Sequence, residues 1–220
     1  MTDLAPSPDD VEARRVEEMF RHFEAAEPQP KAELSYADPF TLVVAVALSA
    51  QTTDKAVNKA TERLFAVADT PEQMLALGEE GVIPFIASIG LFRNKARNLI
   101  ALSRIIVEQH GGVTPTTREG LQALPGVGRK TASVVLNELG IEPAIAVDTH
   151  VFRVGWRLAL TTGKTPDLVE TELMRRVPDW ALTRAHHWLI LHGRYICVAR
   201  RPKCSICMQA ALCPSYAGPQ

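Results

Sequence analysis

The feature that most restricts the fold of this 220-residue chain is a run of four cysteines in its last quarter. They are the only cysteines in the protein, and they fall within seventeen residues in the spacing C-x6-C-x2-C-x5-C. Four thiols this close together can surround one metal centre, but the spacing is too irregular for the paired C-x2-C knuckles of a zinc ribbon. Four thiolates suit an iron–sulfur cluster, with a zinc site and two disulfides left as alternatives. The four are Cys197, Cys204, Cys207 and Cys213.

The composition indicates a globular protein in a reducing compartment. Hydrophobic residues make up 46% of the chain and charged residues 22%, which is ordinary for a globular protein. Residues 1–10 lack the apolar segment of a signal peptide, and no run of about 18 apolar residues could span a membrane. We therefore expect a cytoplasmic protein with no membrane partner, and in the cytoplasm disulfides are disfavoured.

Charge is distributed unevenly along the chain. The net charge of −1 argues weakly against nucleic-acid binding. However, residues 1–30 carry eight acidic side chains and three arginines, whereas residues 180–220 carry no acidic side chain at all. This asymmetry favours one DNA-facing side, and a merely lopsided surface is the alternative. The basic residues of the C-terminal segment are Arg184, Arg194, Arg200, Arg201 and Lys203.

The apolar periodicity predicts an all-α fold of ten or more short helices. No run of alternating β-branched residues bounded by turns occurs. Residues 9–25 show a helical apolar stripe, and the run that follows Asp38-Pro39 is apolar on all sides, which predicts a buried central helix. Capping boxes at Thr70-x-x-Gln73 and Thr116-x-x-Glu119 mark two further helix starts. A helix that begins at Asp148 is expected to run to about Leu160.

The segment Leu124-Pro-Gly-Val-Gly-Arg-Lys130 predicts a tight hairpin between two helices. Gly126 and Gly128 lack a Cβ atom, so both can adopt positive φ and let backbone N–H groups approach another molecule closely. These groups lie at a helix N-terminus, which attracts anions such as a DNA phosphate. Phosphate contacts carry no base information, so this grip would not depend on DNA sequence. An ordinary helical corner is the alternative.

Lys130 and Asp148 are the candidate reactive pair. Lys130 is expected in the first turn of the helix after the hairpin, partly buried and close to the positive end of the helix dipole. Both conditions favour a neutral amine, which is the nucleophilic form of lysine. Asp148 lies at the start of a later apolar helix, where it can be a plain N-cap or can also stabilise positive charge on a sugar.

Together, these motifs resemble the bacterial endonuclease III family. The resemblance runs in unbroken order from about Val11 to Cys213 and implies a two-lobed helix-hairpin-helix DNA glycosylase with a [4Fe–4S] cluster loop. One domain would be residues 32–142, with the hairpin motif at about 116–139, and the other would combine residues 1–31 with 143–220. The matching segments are Leu48-Ser-Ala-Gln-Thr-Thr-Asp54, Leu124-Pro-Gly-Val-Gly-Arg-Lys-Thr-Ala132, Val147-Asp-Thr-His150 and the four-cysteine run.

The resemblance also implies residue roles. Lys130 would be the nucleophile, Asp148 its carboxylate partner, and the four cysteines the cluster ligands. Gln51 would fill the gap left by an extruded base, and Leu91 would wedge the opposite strand together with Ile89 of the same loop. Further DNA contacts are expected from Gly126, Gly128, Arg200, Arg201 and Lys203.

The implied activity is base excision repair of oxidised pyrimidines in damaged double-stranded DNA by a monomeric enzyme. The Lys130 amine would expel the base through a Schiff base, and β-elimination would then cut the strand. One alternative is an adenine mismatch glycosylase, which lacks the nucleophilic lysine and carries a further C-terminal domain. Another is a non-catalytic iron–sulfur DNA-binding protein. The histidines His186, His187 and His192 are expected to be structural rather than metal ligands.

Overall fold

The computed structural model describes residues 7–216, and across that range the chain is helical with no β-strand. This confirms the predicted all-α class. Three 3-10 helices, at Asp179–Ala181, Cys204–Ile206 and Ala210–Leu212, supplement ten α-helices. The α-helices are α1 (Pro8–Ala26), α2 (Pro39–Ser49), α3 (Asp54–Phe65), α4 (Pro71–Ile86), α5 (Phe92–His110), α6 (Arg118–Gln122), α7 (Arg129–Glu138), α8 (Thr149–Arg157), α9 (Pro166–Arg176) and α10 (Leu182–Tyr195).

Backbone contacts divide the described chain into two compact units. One unit is Ala32–Glu142, and the other combines the described residues before and after it. That each unit is a folding domain stays a proposal.

The buried helix α2 forms the centre of the Ala32–Glu142 unit. Asp38 caps it by accepting a 2.9 Å hydrogen bond from the Thr41 amide, and Pro39 occupies its first turn. Its side chains from Phe40 to Val46 are buried, as the unbroken apolar run predicts. The helix packs against α3, α5 and α7. It therefore supports α7, the helix that follows the hairpin.

Helices α6 and α7 enclose the predicted hairpin. Leu124 and Val127 are buried in the core of the unit and anchor the hairpin from within. Arg118 connects the two helices because it donates to Ser133 Oγ at 3.0 Å and to Glu142 Oε1 at 2.7 Å. The hairpin backbone is therefore fixed from both sides.

Two predicted helix ends were wrong. Thr117 rather than Thr116 caps α6, because its side chain accepts from the Gly120 amide. Helix α8 ends at Arg157, before the predicted Leu160, since Ala159 has a left-handed backbone with φ of +52°. The Thr70–Gln73 capping box at the start of α4 is confirmed.

The second unit is built around α1, α8 and α10. Phe20 and Phe23 of α1 pack against Trp188 of α10, with ring centroids 6.2 and 6.3 Å apart. Cys197 is buried in the same core, directly after α10. Among residues 7–216, no helix combines the length and apolarity that crossing a membrane requires.

Candidate functional site

The hairpin requires glycine at Gly126. Its φ is +83°, which lies in the left-handed region that side chains disfavour. A Cβ atom here would also lie 2.9 Å from Asn98 Nδ2 and 3.0 Å from Asn98 Cβ. The fold itself therefore excludes a larger residue at this position.

Gly128 differs from Gly126. Its φ is −85°, so the expectation that it adopts positive φ was wrong. It is exposed, and a Cβ atom added to it would meet nothing within 4 Å. Gly128 is the N-cap of α7 and provides no side-chain cap, and the first amides of any α-helix have no acceptor within the helix. The space beside them suits an anion that approaches the backbone closely.

Lys130 is the second residue of α7, where the sequence placed it. Its side chain is exposed, which contradicts the expected partial burial. Burial within the free protein is therefore not what activates this amine. Lys130 therefore lies in the same first turn of α7 as the amides that follow Gly128.

Asp148 is a helix cap in this structure. It is partly buried, and its Oδ1 accepts hydrogen bonds from the amides of His150 and Val151, both at 2.8 Å. No donor among the described residues contacts Oδ2, so one carboxylate oxygen is available to a substrate. Asp148 lies in the second unit, whereas Lys130 lies in Ala32–Glu142.

Gln51 and Leu91 share an uncommon backbone conformation. Their φ values are +57° and +60°, and both side chains are exposed, Leu91 to 62%. Left-handed residues other than glycine are strained and concentrate at functional sites. Ile89 is 1% exposed and packs in the core, so it offers no surface to DNA. We therefore assign Ile89 to the support of the Leu91 loop, which corrects the expected wedge role.

Sequence reasoning missed Lys95, a buried lysine of α5. Its Nζ donates to Leu48 O at 2.8 Å, Ala50 O at 2.7 Å and Thr52 Oγ1 at 3.1 Å. Burial lowers the pKa of Lys95 below its ordinary value. The available signal was its position within the apolar stripe of α5, which also includes Ala96 and Leu99.

The four cysteines line one cavity of about 190 Å³ within the second unit. Burial raises the pKa of the Cys207 and Cys213 thiols, and the neighbouring cysteine sulfurs add to the increase. A positive centre in the cavity, such as a metal, would favour loss of these protons.

The chemistry of the donor set tests whether a metal centre fits. Four thiols line the cavity, and thiolates are ligands both of zinc and of iron–sulfur clusters. Among the described residues, no three His, Cys, Asp or Glu side chains are positioned to hold a single ion. By their chemistry, the four cysteines fit a thiolate-bound metal centre.

Arg157 fixes the start of the cysteine loop. It donates to Cys197 Sγ at 3.4 Å, to Val198 O at 2.8 Å and to Ala199 O at 2.9 Å. The loop continues into the predicted basic group Arg200, Arg201 and Lys203, all of which are exposed. Lys203 also lines the cysteine cavity.

The three histidines considered in the sequence are buried in α10. His192 packs edge-on against Phe23, with ring centroids 5.3 Å apart, and its Nε2 lies 3.7 Å from Cys207 Sγ. Burial lowers the pKa of His192 to about 4, so this ring is neutral at neutral pH.

The sequence profile of the HhH-GPD superfamily of base excision DNA repair proteins matches residues 44–179, more than half of the chain. Endonuclease III of Rickettsia conorii is 53% identical over 206 residues, which cover 94% of this chain and 98% of the relative. Endonuclease III of Escherichia coli K12 is 53% identical over 186 residues, or 84% of this chain and 88% of the relative. The chain belongs to the endonuclease III family. It is therefore a base excision repair enzyme of the DNA glycosylase and AP lyase class.

Solved structures of the endonuclease III family share the fold. One is a trapped endonuclease III–DNA covalent intermediate, 40% identical, with a TM-score of 0.85 over 93% of this chain and 96% of that one. Another is a non-covalent endonuclease III–DNA complex with a TM-score of 0.86 at the same identity and coverage. A thermostable thymine-DNA glycosylase, at 24% identity and a TM-score of 0.82, resembles the chain in fold.

The two hairpin glycines are expected to respond differently to alanine. Gly126→Ala should lower the free energy of unfolding by about 1 to 3 kcal/mol, because it forces a side chain into the left-handed region beside Asn98. Gly128→Ala should change stability by less than about 1 kcal/mol, since its backbone suits alanine. The same variant should weaken duplex binding about tenfold, because a methyl group would separate the α7 amides from a phosphate.

Urea denaturation and a fluorescence-anisotropy titration with duplex DNA measure the two effects. Equal loss of stability in both variants, or unchanged binding by Gly128→Ala, would contradict this division of roles.

Proposed function

We propose that this chain removes oxidised pyrimidines from double-stranded DNA with Lys130 as the nucleophile, and then cuts the strand at the abasic site by β-elimination. The observation that carries the proposal is the placement of Lys130. Its exposed amine follows within one turn of the open N-terminus of α7, which can hold a phosphate beside it.

Anchoring a phosphate at the α7 N-terminus would place the adjoining sugar close to Lys130. Successive phosphates in one strand are separated by a single sugar, so a phosphate bound at the first turn of α7 would bring its sugar close to a lysine of that same turn. Proximity of this kind replaces a bimolecular encounter with a unimolecular step. The related trapped structure, in which endonuclease III is joined covalently to DNA, supports a nucleophile on the protein.

The chemistry needs an amine and a nearby carboxylate. The neutral Lys130 amine attacks C1′, and the bond from C1′ to the base breaks with its electron pair leaving on the base. Opening of the sugar ring then gives a Schiff base between Nζ and C1′. Loss of a C2′ proton breaks the bond from C3′ to the 3′ phosphate, and water releases the enzyme from the sugar. Asp148 Oδ2 would stabilise the positive charge that develops on the sugar.

The exposed side chains of Gln51 and Leu91 would enter the duplex. A target base inside a helix cannot be reached until its nucleotide is turned out of the stack. An amide can bond to the orphaned base, and an apolar wedge can separate stacked bases. Their fixed left-handed backbone supports this role, because a rigid loop loses less entropy on insertion.

The four cysteines would hold a [4Fe–4S] cluster. Their shared cavity and the hydrogen bond from Arg157 to Cys197 Sγ support this assignment. The cluster would supply structural cross-linking of the basic loop, and the excision chemistry proceeds on Lys130 and Asp148 without it. The exposed Arg200, Arg201 and Lys203 on this loop would neutralise DNA phosphates.

The enzyme would work as a monomer in the bacterial cytoplasm, on damaged DNA. The proposed machinery uses residues of one chain, and the relatives compared above are endonuclease III of the bacteria Rickettsia conorii and Escherichia coli.

Lys130→Gln is expected to abolish base removal and strand cleavage while leaving duplex binding within about threefold, because an amide cannot form a Schiff base. The measurement is borohydride trapping on an oligonucleotide with one oxidised pyrimidine, read as a covalent band on a denaturing gel. Lys164→Gln, which alters an exposed lysine of the second unit, is the control and should trap normally. A covalent band from Lys130→Gln would identify another nucleophile. The absence of a band from the unaltered protein would favour the adenine-removing or non-catalytic alternatives.

Asp148→Asn is expected to lower the single-turnover rate by about 100- to 1,000-fold, since the charge on the carboxylate acts in the transition state. Stability should change by less than about 1 kcal/mol, because an asparagine oxygen accepts the same two cap hydrogen bonds. Asp148→Ala, which loses the cap as well, should be less stable than Asp148→Asn. A rate for Asp148→Asn within about twofold of the parent would leave Asp148 as a helix cap alone.

Purified protein is expected to be yellow-brown and to contain about four irons per chain. Cys204→Ser should lose iron and yield poorly folded protein, because one of four ligands is missing. Ser205→Ala, at an exposed neighbouring position, should keep its iron. Iron analysis and visible absorbance measure this. Colourless protein with one zinc per chain after anaerobic purification would refute the cluster.

Replacement of Arg200, Arg201 and Lys203 together by alanine should flatten the plot of log K against log salt by about two to three units, because each neutralised phosphate contributes roughly −0.9. Lesion preference should persist, since phosphate contacts do not read the base. The measurement is duplex affinity at several salt concentrations. An unchanged slope would place the DNA away from the basic loop.

A further inference from the structure

Two loops of the Ala32–Glu142 unit carry a strained, exposed residue that is not glycine. Gln51 follows the end of α2 and has a φ of +57°, while Leu91 precedes α5 and has a φ of +60°. A side chain in the left-handed region costs about 1 to 2 kcal/mol relative to the helical region. Something in the surrounding structure must therefore hold each loop in place.

One residue is bonded to both loops. The ammonium of Lys95 donates to Leu48 O, Ala50 O and Thr52 Oγ1, which flank Gln51 on both sides. The backbone amide of Lys95 donates to Leu91 O at 3.0 Å. The three Nζ protons thus hold the Gln51 loop to a residue in the first turn of α5, and Leu91 is the N-cap of that same turn, which the ordinary helical bond from the Lys95 amide closes.

The charge of Lys95 is held by dipoles. Lys95 is 9% exposed, and no Asp or Glu lies within ion-pairing distance among the described residues. Its two carbonyl acceptors, Leu48 O and Ala50 O, lie at the C-terminus of α2, where the unpaired carbonyls of a helix favour a cation. An apolar side chain would fill this space without the cost of burying a charge, but it could not donate to the three acceptors.

We propose that Lys95 is a positioning residue that holds Gln51 and Leu91 in register so that both enter the duplex in one step. This inference rests on the proposed function, in which these two side chains replace and separate bases. In this proposal Lys95 sets the distance between the Gln51 and Leu91 side chains, and it does not contact the reacting atoms. Loss of the ammonium would release Ala50 O and Thr52 Oγ1, and Gln51 could then relax out of its left-handed backbone.

The first test measures base displacement directly. A duplex carries 2-aminopurine opposite a stable abasic analogue, and its fluorescence rises when a bound protein unstacks it. At saturating protein, Lys95→Met should give a much smaller rise than the parent, whereas Lys164→Met, which removes the same charge from an exposed site, should give the full rise. An undiminished rise with Lys95→Met would overturn the proposal.

The second test asks whether Lys95 acts through the two loops. Lys95→Met should slow single-turnover base removal by about 10- to 100-fold, the effect of misplacing groups by about an ångström. In a protein that already carries Gln51→Ala and Leu91→Ala, the same substitution should slow the reaction by less than about twofold, because coupled residues are not additive. An equal slowing in both backgrounds would show that Lys95 acts elsewhere.

Thr52→Val covers the case in which Lys95→Met does not fold. It removes one acceptor of the ammonium and leaves the lysine in place, so thermal stability should change little while the fluorescence rise falls. An unchanged rise in a folded Thr52→Val protein overturns the proposal. Borohydride trapping distinguishes failure of the proposed function from failure of the positioning role of Lys95. If the parent protein forms no adduct, the proposed function fails. If the parent traps normally and Lys95→Met matches Lys164→Met in both tests, only the positioning role fails.

Discussion

The backbone N–H groups in the first turn of α7 have no partner inside their helix, and the proposed chemistry depends on this fact. Glycine at the N-cap supplies no capping side chain, so in the proposed mechanism a phosphate would bind there. Such a contact would be independent of base sequence, as repair of damage anywhere in a genome requires. It would also set the position of the nearest sugar relative to Lys130.

Other candidate site residues also lie at helix ends. Asp148 uses Oδ1 to cap α8, and the cap fixes its rotamer, so Oδ2 is held in a set direction. Leu91 precedes α5, and Gln51 follows α2. At these positions the chain changes direction and unpaired backbone groups are available, so rigid helices can present exposed side chains. In the proposed mechanism, the hydrogen bonds that stabilise the structure at Asp148 and Lys95 would also position groups for the reaction.

Much of this could be predicted from sequence, because the signals were local. The apolar run after Asp38-Pro39 defined the buried α2, and the hairpin segment placed Lys130 near the start of α7. The predictions that were wrong depended on tertiary contacts, which the local sequence does not show. Ile89 and Leu91 are neighbours in one loop, yet one is buried in the core and the other is 62% exposed.

The apolar stripe of α5 could have indicated that Lys95 is buried, but not which groups it contacts, because its acceptors lie more than forty residues earlier in the chain. From sequence alone, a lysine is expected to be solvated, and only the structure shows the carbonyls of Leu48 and Ala50 that accept its hydrogen bonds. Likewise, whether Lys130 is buried depends on which elements surround α7, and sequence periodicity does not carry that information.

The two hairpin glycines separate what folding demands from what a ligand demands. Gly126 is favoured by its own backbone and by the contact with Asn98, whereas no described residue lies within 4 Å of a Cβ atom added at position 128. A laboratory selection for folded protein alone would therefore keep glycine at position 126 and accept other residues at position 128. A selection that scores survival of DNA damage would keep both. Comparing the two outcomes would distinguish the contacts the molecule makes with itself from those it makes with its substrate.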